Sequence, residues 1–472
     1  MLAISDPVPQ RLCLGQTRRD FLKIGSLGLG GLTLPDLLRL RASEPGLQDK
    51  SVVLLFLEGG PAQTETFDPK MTAPVEFRST TGETPTSLPG VTFGSTFPQL
   101  ARKANRLAVV RSYGTRIGVH TYSGVLAGAV GPTPREPLPA VSSVYAKLAG
   151  TNHPVTGFPR NVIVFPEAVH HGPGRVPNST EVYGALTATG PLGPQFAAFN
   201  PAGGAELRRS MTLRLTQNQF NDRQALLTAL DGMNRQLDSR GAMERVDRYQ
   251  QQAFEIIRRG VAGAFDLSRE DPRVVGRYDT SRLFRTEDWT RMGVNMGRTT
   301  NLLGRQMLLA RRLIEAGCGF VTVTDHGWDM HGDIGNSAPG MTAMEPLGRQ
   351  VDHAVSAFLD DLEQRGLSDR VLLVVTGEMG RSPRLNSLGA RDHWGDLSPL
   401  LLAGGGLRMG QVIGRSDRVA GTATTEPYDP RNLVATILHY LFDLGQLRLR
   451  QDLTFELRNL IGNTRVIDGL FS

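Results

Sequence analysis

The sequence predicts an α/β fold with a mostly parallel central sheet and helices on both faces. Residues 371–375 form an uninterrupted apolar run, β-branched at three of five positions, and residues 51–57 form another. Such runs are typical of strands that are buried on both faces. Amphipathic helical patterns at residues 302–316 and 344–365 each precede a strand pattern, at 319–324 and 371–375 respectively. This alternation favours parallel strands joined by covering helices.

Residues 1–45 are predicted to be a signal peptide of the twin-arginine type. Arg18 and Arg19 precede a mildly hydrophobic, glycine-rich run at residues 24–38. That run is too short and too rich in glycine to span a membrane stably. We therefore expect the twin-arginine export machinery as a partner and cleavage around residues 42–48. The mature chain is expected to have no membrane span and to be exported, to the periplasm or the exterior.

Length and composition leave room for one large domain. The chain has 472 residues, 40% of them hydrophobic, which is enough for a substantial core. The formal net charge of +6 is too small and too dispersed to indicate a nucleic-acid partner. The two cysteines are Cys13 and Cys318. Because Cys13 lies in the predicted signal peptide, we expect no intramolecular disulfide in the mature chain.

The remainder, residues 46–472, is predicted to be one α/β domain with a helical insertion at about residues 205–300. Between residues 217 and 261 the pattern is helical and charged, with an apolar stripe and no histidine. We expect this segment to cover one side of the core and to supply no residue to a site.

The first strand pattern, residues 51–57, ends in a sharp turn. Gly59 and Gly60 permit that turn, which places Glu65 at the edge of the sheet where parallel strands end. Residues 70–97 are rich in proline, glycine, threonine and serine, and are predicted to cross the surface.

A short strand at residues 107–110 leads to His120 and Thr121, which precede a small-residue segment typical of a helix start. Exposed N–H groups at such a start favour an anion. The alternative is that His120 only caps the helix or packs against it.

Two successive helix–strand units each end in a cluster of acids and histidines. In open α/β sheets, ligands bind outside the carboxyl ends of the strands. Carboxylates and imidazoles bind Zn²⁺, Mn²⁺ or Mg²⁺, and oxygen-rich sites also suit Ca²⁺. A capped polar turn or a salt-bridged loop is the structural alternative. The residues concerned are Asp329, His331, Glu378, Arg381, Arg391 and His393.

Four motifs together resemble the bacterial family called domain of unknown function 1501 (DUF1501). They are residues 59–70, 327–331, 377–381 and 391–394, in the order of the family. The family is grouped with the alkaline phosphatase and sulfatase superfamily. The resemblance implies that superfamily's mostly parallel sheet and a divalent-metal site at the strand ends.

The resemblance also implies which residues bind the metal. Asp329 and His331 would supply one ligand pair, and His393 would be the late histidine ligand. Glu378 would stand where the superfamily has an Asp–His pair, and Glu65 would be a further acid of the site.

This sequence departs from the superfamily pattern at three positions. Glu65 stands where aspartate is expected, and Met379 stands where phosphatases have a metal-binding histidine. Gly118 falls at the nucleophile position of sulfatases, so no cysteine is available there to become formylglycine. Thr121 and Ser123 are possible substitutes, although nothing in the sequence marks either as activated. Attack by an activated water, without a covalent intermediate, fits these residues better.

Two classes of function remain open at this stage. The first is an exported metal-dependent hydrolase that acts on a sulfate, phosphate or related ester. In it His120 would transfer protons, and Arg381 with Arg391 would hold the anion. Thr121 is the remaining candidate catalytic residue, as a substitute nucleophile. The second is a non-catalytic binding or assembly protein that retains the fold with a degraded site. The fold alone does not decide between the two classes.

The export prediction can be tested on the precursor. Replacing Arg18 and Arg19 with lysines should leave the precursor in the cytoplasm, because the twin-arginine signal is read as an address. Cell fractionation and immunoblotting measure the outcome. Unchanged export of the double variant would rule out the twin-arginine route.

Overall fold

The computed structural model describes residues 46–128, 138–169, 184–202, 261–284, 300–332, 340–450, 453, 455–462 and 465–471. The described strands are β1 (Ser51–Leu57), β2 (Glu83–Pro85), β3 (Thr92–Gly94), β4 (Leu107–Val110), β5 (Asn161–Val164), β6 (Phe320–Asp325), β7 (Val371–Thr376), β8 (Gly380–Arg381), β9 (His393–Trp394), β10 (Leu400–Gly404) and β11 (Gln411–Ile413). Seven of them form one sheet in the order β11-β4-β10-β7-β1-β6-β5, and two small two-stranded sheets accompany it.

The central sheet is mostly parallel. Strand β1 pairs in parallel with both β6 and β7, β5 pairs in parallel with β6, and β11 pairs in parallel with β4. Strand β10 pairs antiparallel with its two neighbours, β7 and β4. The predicted fold class is therefore confirmed, with β10 as the reversed strand among the described residues.

Helices cover both faces of this sheet. The described helices are α1 (Gln63–Thr66), α2 (Pro98–Arg102), α3 (Tyr122–Ala127), α4 (Val141–Ala149), α5 (Pro272–Arg277), α6 (Leu303–Glu315), α7 (Met344–Gln364), α8 (Pro430–Leu441), α9 (Leu444–Arg448) and α10 (Phe455–Gly462). In β1, Val53 and Leu55 pack in the same core as α6 and α7, whereas Leu54 and Phe56 pack in a second core with α4 and α8. The alternation of side chains along a strand produces these two layers.

Both strands predicted in the two helix–strand units are found, with no end displaced by more than one residue. The pattern at 319–324 is β6, and the pattern at 371–375 is β7, which also includes Thr376. Residues 70–97 do more than cross the surface, because Phe93 and Phe97 are buried in the core beside Phe67. Their aromatic side chains outweigh the polar composition of the segment.

Two predicted segments lie outside the described residues in whole or in large part. Residues 1–45 are outside them, as are residues 203–260 and 285–299 of the predicted insertion. The signal peptide and the insertion therefore stay predictions. None of the helices in the described part of the chain combines the length and the apolar composition that crossing a bilayer requires.

Asp325, the last residue of β6, is a buried acid in the core. Its carboxylate accepts a hydrogen bond of 2.8 Å from Trp328 Nε1. Burial raises the pKa of Asp325 to about 7, and the Trp328 hydrogen bond only partly offsets this. The folded protein therefore holds a proton on Asp325 at pH values where the unfolded chain has released it.

Replacing Asp325 with asparagine should remove the contribution of this carboxyl to the pH dependence of the free energy of unfolding. Because the folded pKa is raised, stability supplied by the protonated acid is lost as the pH rises from about 4 to about 7. Over that interval the free energy of unfolding of the wild type should fall relative to Asp325→Asn, by on the order of 3–4 kcal/mol. Urea unfolding of both proteins at several pH values measures the difference. A difference that does not vary with pH would contradict the assignment.

Candidate metal centre

The candidate site lies at the edge of the sheet where the parallel strands end. The loops after β1, β4, β6 and β7 all begin at this edge. Since β10 runs in the opposite direction, with Leu400 paired to Thr376, the chain between β7 and β10 leaves and re-enters the sheet at the same edge. Residues 377–399 are therefore available to the site over their whole length.

Asp329 is the centre of a group of three histidines. His393 Nε2 lies 3.2 Å from Asp329 Oδ1, and His331 Nε2 lies 3.3 Å from Oδ2. His120 Nε2 lies 3.5 Å from Oδ2. The potential ligand atoms of His120, Asp329 and His393 all lie within 4.8 Å of one another. The four side chains are between 19% and 32% exposed, so a solute can reach them.

Glu378 lies within hydrogen-bond distance of Nδ1, the second ring nitrogen of His120. Its Oε1 lies 2.9 Å from His120 Nδ1 and accepts a hydrogen bond of 2.8 Å from the Gly59 N–H. The side chain is buried, and Oε2 has no hydrogen-bond donor within the described part of the chain. Glu378 therefore contacts the Asp329 group through His120 and is not a member of it.

Asp329 and His120 shift each other's pKa values. Burial disfavours the ionised form of Asp329, but hydrogen bonds from His120 and His393 and the charge of Arg381 hold the pKa of this carboxyl well below its usual value. Burial also opposes protonation of His120, yet its hydrogen bonds with Asp329 and Glu378 raise its pKa to about 9. Without a cation, His120 therefore carries a proton at neutral pH, and its positive charge adds to that of Arg381 beside Asp329.

Arg381 is fully engaged inside the protein. Its Nε donates to Gly60 O at 2.8 Å, and its Nη1 donates to Arg391 O at 3.2 Å. Its Nη2 donates to Gly59 O and, at 2.5 Å, to Asp329 Oδ1. Burial lowers the pKa of Arg381, against the opposing charge of Asp329. Because the side chain is inaccessible, this geometry does not fit the expected role of holding a substrate anion.

Arg391 and Glu65 form a second buried pair away from the Asp329 group. Arg391 Nε lies 3.2 Å from Glu65 Oε1, and both side chains are 0% exposed. Glu65 also accepts hydrogen bonds from Ser79 Oγ and from the backbone N–H of Thr80. The expected roles, an anion-binding arginine and a metal-binding acid, do not fit because each group already satisfies the other.

Thr121 is not activated in this arrangement. Its hydroxyl donates to Val119 O at 3.1 Å, a local backbone contact. A nucleophilic hydroxyl requires a base within hydrogen-bond reach, and the described contacts of Thr121 include none. The side chain of Ser123 lies outside the described residues.

Sequence reasoning missed a neighbouring group formed by Glu58, Tyr122 and His326. Tyr122 donates to Glu58 Oε1 at 3.1 Å, and His326 Nδ1 contacts Glu58 Oε2. The ring of Tyr122 stacks on that of His120 with centroids 6.0 Å apart. Burial lowers the pKa of His326 to about 4, so this histidine is neutral. Their positions in the sequence could have indicated this group, because Glu58 directly follows Leu57 of β1 and His326 directly follows Asp325 of β6.

The family model for proteins of unknown function designated DUF1501 matches residues 49–471. The chain belongs to the DUF1501 family. This confirms the resemblance that the four sequence motifs indicated. No curated protein matches the chain in sequence.

Three of the solved structures that are similar to this DUF1501 protein are as follows. A phosphonate monoester hydrolase from Silicibacter pomeroyi has 13% identity and a TM-score of 0.39, and the match covers 89% of this chain and 76% of that one. The PsFucS1 sulfatase from Pseudoalteromonas sp. has 12% identity, a TM-score of 0.35, and coverages of 82% and 68%. An alkaline phosphatase superfamily protein from Vibrio parahaemolyticus has 9% identity, a TM-score of 0.30, and coverages of 81% and 70%.

The burial of the Arg391–Glu65 pair predicts that removing the glutamate carboxylate lowers the stability of the protein. Replacing Glu65 with alanine should lower the free energy of unfolding by about 3–5 kcal/mol, because it leaves the Arg391 guanidinium buried without its counter-charge. Urea unfolding measures this loss. Glu83→Ala, at an exposed position in β2, is the control and should change stability by less than about 0.5 kcal/mol. A loss below about 1 kcal/mol in Glu65→Ala would contradict the assignment.

Proposed function

We propose that this protein is an exported, metal-dependent hydrolase acting on an anionic ester of the sulfate or phosphate class. The observation that carries the proposal is the arrangement of His120, Asp329 and His393, with Glu378 on the far nitrogen of His120. A histidine whose second nitrogen is held by a carboxylate is a recurrent arrangement at protein metal sites.

The donor set suits a divalent cation of borderline hardness. One carboxylate and two or three imidazoles are the ligands typical of Zn²⁺ and also of Mn²⁺. Such a set leaves the bound cation with net positive charge, which favours an anionic ligand. The unpartnered and buried Oε2 of Glu378 further supports the fit, since a buried carboxylate oxygen without a donor is costly unless a cation or proton lies nearby.

The residues of the chain have distinct tasks in this proposal. A divalent cation would supply Lewis-acid polarisation of the ester and activation of a water. Asp329, His120 and His393 would hold it, and His331 is close enough to join them. Glu378 fixes the orientation of the His120 ring, and Arg381 fixes the Asp329 carboxylate. Since a metal ligand must be a neutral imidazole, His120 must release its proton to bind the cation. The affinity for the cation should therefore increase as the pH rises.

The alternative is a binding protein that takes up the cation and an anion without turning the anion over. The unactivated Thr121 and the buried Arg381 and Arg391 favour this alternative over covalent catalysis. The two functions differ in one assay. Metal-loaded wild type and Asp329→Asn are compared on aryl sulfate, aryl phosphate and aryl phosphonate monoesters. Turnover by the wild type that Asp329→Asn loses supports the hydrolase, whereas metal uptake without turnover of any of these esters supports the binding protein.

The metal site itself gives a direct prediction. His120→Ala and His393→Ala should each weaken Zn²⁺ binding by about 10-fold or more, because each removes one atom of the ligand group. Chelator should lower the melting temperature of the wild type, since a cation bound only to the folded state stabilises it. Isothermal titration calorimetry and thermal unfolding measure the two effects.

The matched control is His439→Ala, an exposed histidine in α8 whose ring packs against Phe471. It should leave the Zn²⁺ affinity unchanged. If the wild type takes up no Zn²⁺ or Mn²⁺, or if all three variants bind alike, the metal centre is wrong and the hydrolase proposal fails with it.

A further inference from the structure

We propose that Gly59 is the positioning residue of the candidate metal centre, and that its backbone sets the places of Glu378 and Asp329. Gly59 follows β1 by two residues and has no side chain of its own. The inference rests on contacts of its N–H, its carbonyl and its Cα with three charged residues. Its metal-binding consequence rests on the proposed function.

The N–H and the carbonyl of Gly59 contact opposite charges. The N–H donates to Glu378 Oε1 at 2.8 Å, on the same oxygen that lies 2.9 Å from His120 Nδ1. The carbonyl accepts from Arg381 Nη2, the nitrogen that also donates to Asp329 Oδ1. The backbone of this single residue therefore helps to place His120 through Glu378 and Asp329 through Arg381.

The Cα of Gly59 lies against the backbone of the Asp329 loop. A Cβ built on Gly59 would lie 2.3 Å from Asp329 N and 2.7 Å from Trp328 C. Both of these are backbone atoms, so no flexible side chain can move aside to relieve the overlap. The φ angle of Gly59 is also +114°, a conformation that other residues rarely adopt. Any side chain at this position would push the β1 and β6 loops apart.

Two other glycines, Gly60 and Gly82, lack this overlap with backbone atoms of the Asp329 loop. A Cβ built on Gly60 would approach the Met379 side chain at 2.7 Å, and that side chain can change its rotamer. Gly82 has a φ of +89° and no atom within 4 Å of a built Cβ. Substitution at Gly82 therefore carries the strain of a positive φ without any overlap, and it is the matched control for Gly59.

The test compares Gly59→Ala with Gly82→Ala in the full mature chain. We expect Gly59→Ala to weaken Zn²⁺ binding by at least about 10-fold, as loss of an outer hydrogen-bonding partner does at other metal sites. Gly82→Ala should lose stability from its backbone strain alone, yet bind Zn²⁺ within about twofold of the wild type. Wild-type affinity in Gly59→Ala would overturn the inference.

A second readout separates this inference from the proposed function. If the wild type binds no Zn²⁺, the proposed function fails, and the positioning is decided on the metal-free proteins by NMR of ¹⁵N-labelled histidine rings. Shifted signals of His120 and His393 in Gly59→Ala, with unshifted signals in Gly82→Ala, support the positioning role. Signals that stay in place in both variants overturn it.

A third measurement leaves residue 59 intact, so its outcome does not depend on the folding of Gly59→Ala. In Glu378→Ala the Gly59 N–H loses its acceptor, and its hydrogen exchange should accelerate by at least about 10-fold. The Trp328 N–H, which donates to Glu58 O, is the internal reference. Equal exchange of the Gly59 N–H with and without the Glu378 carboxylate would overturn the inference.

Discussion

The guanidinium of Arg381 is the interaction on which the candidate site depends. It donates to Gly59 O and Gly60 O in the loop after β1, to Asp329 in the loop after β6, and to Arg391 O. One buried cation thus ties together three loops from neighbouring strands. Its desolvation is tolerated because its donors are matched by carbonyls and by the Asp329 carboxylate. A side chain that looks in the sequence like a ligand-binding group therefore serves to assemble the site.

The sheet, and the edge of it that carries the candidate site, could be predicted from the sequence because their cause is local. The apolar runs of β1 and β7 and the helical stripes before β6 and β7 are visible without any tertiary information. The convergence of Asp329, His331 and His393 follows from the same reasoning, since parallel strands end at one edge. Their assignment as metal ligands stays a prediction.

The partners of the charged side chains could not be predicted in the same way. Whether Arg391 faces solvent or Glu65 depends on how residues 77–80 fold back over the site, and a sequence pattern does not encode that path. The pairing of His120 with Glu378 joins residues that are 258 positions apart. Burial also reverses expectations about proton binding, as the buried Asp325 and His326 illustrate, and burial of a polar residue has no periodic signature.

The reversed direction of β10 has a consequence for how this fold can diversify. A parallel β10 would require residues 377–399 to cross to the opposite edge, and most of them would be used as a covering helix. Because β10 begins beside the end of β7, residues 377–399 instead form a hairpin-like loop that is anchored at both ends by the pairing of these two strands. Its tip can lengthen or shorten without altering the register of any strand. Relatives could therefore differ in the depth of the entrance to the candidate site while keeping the same sheet.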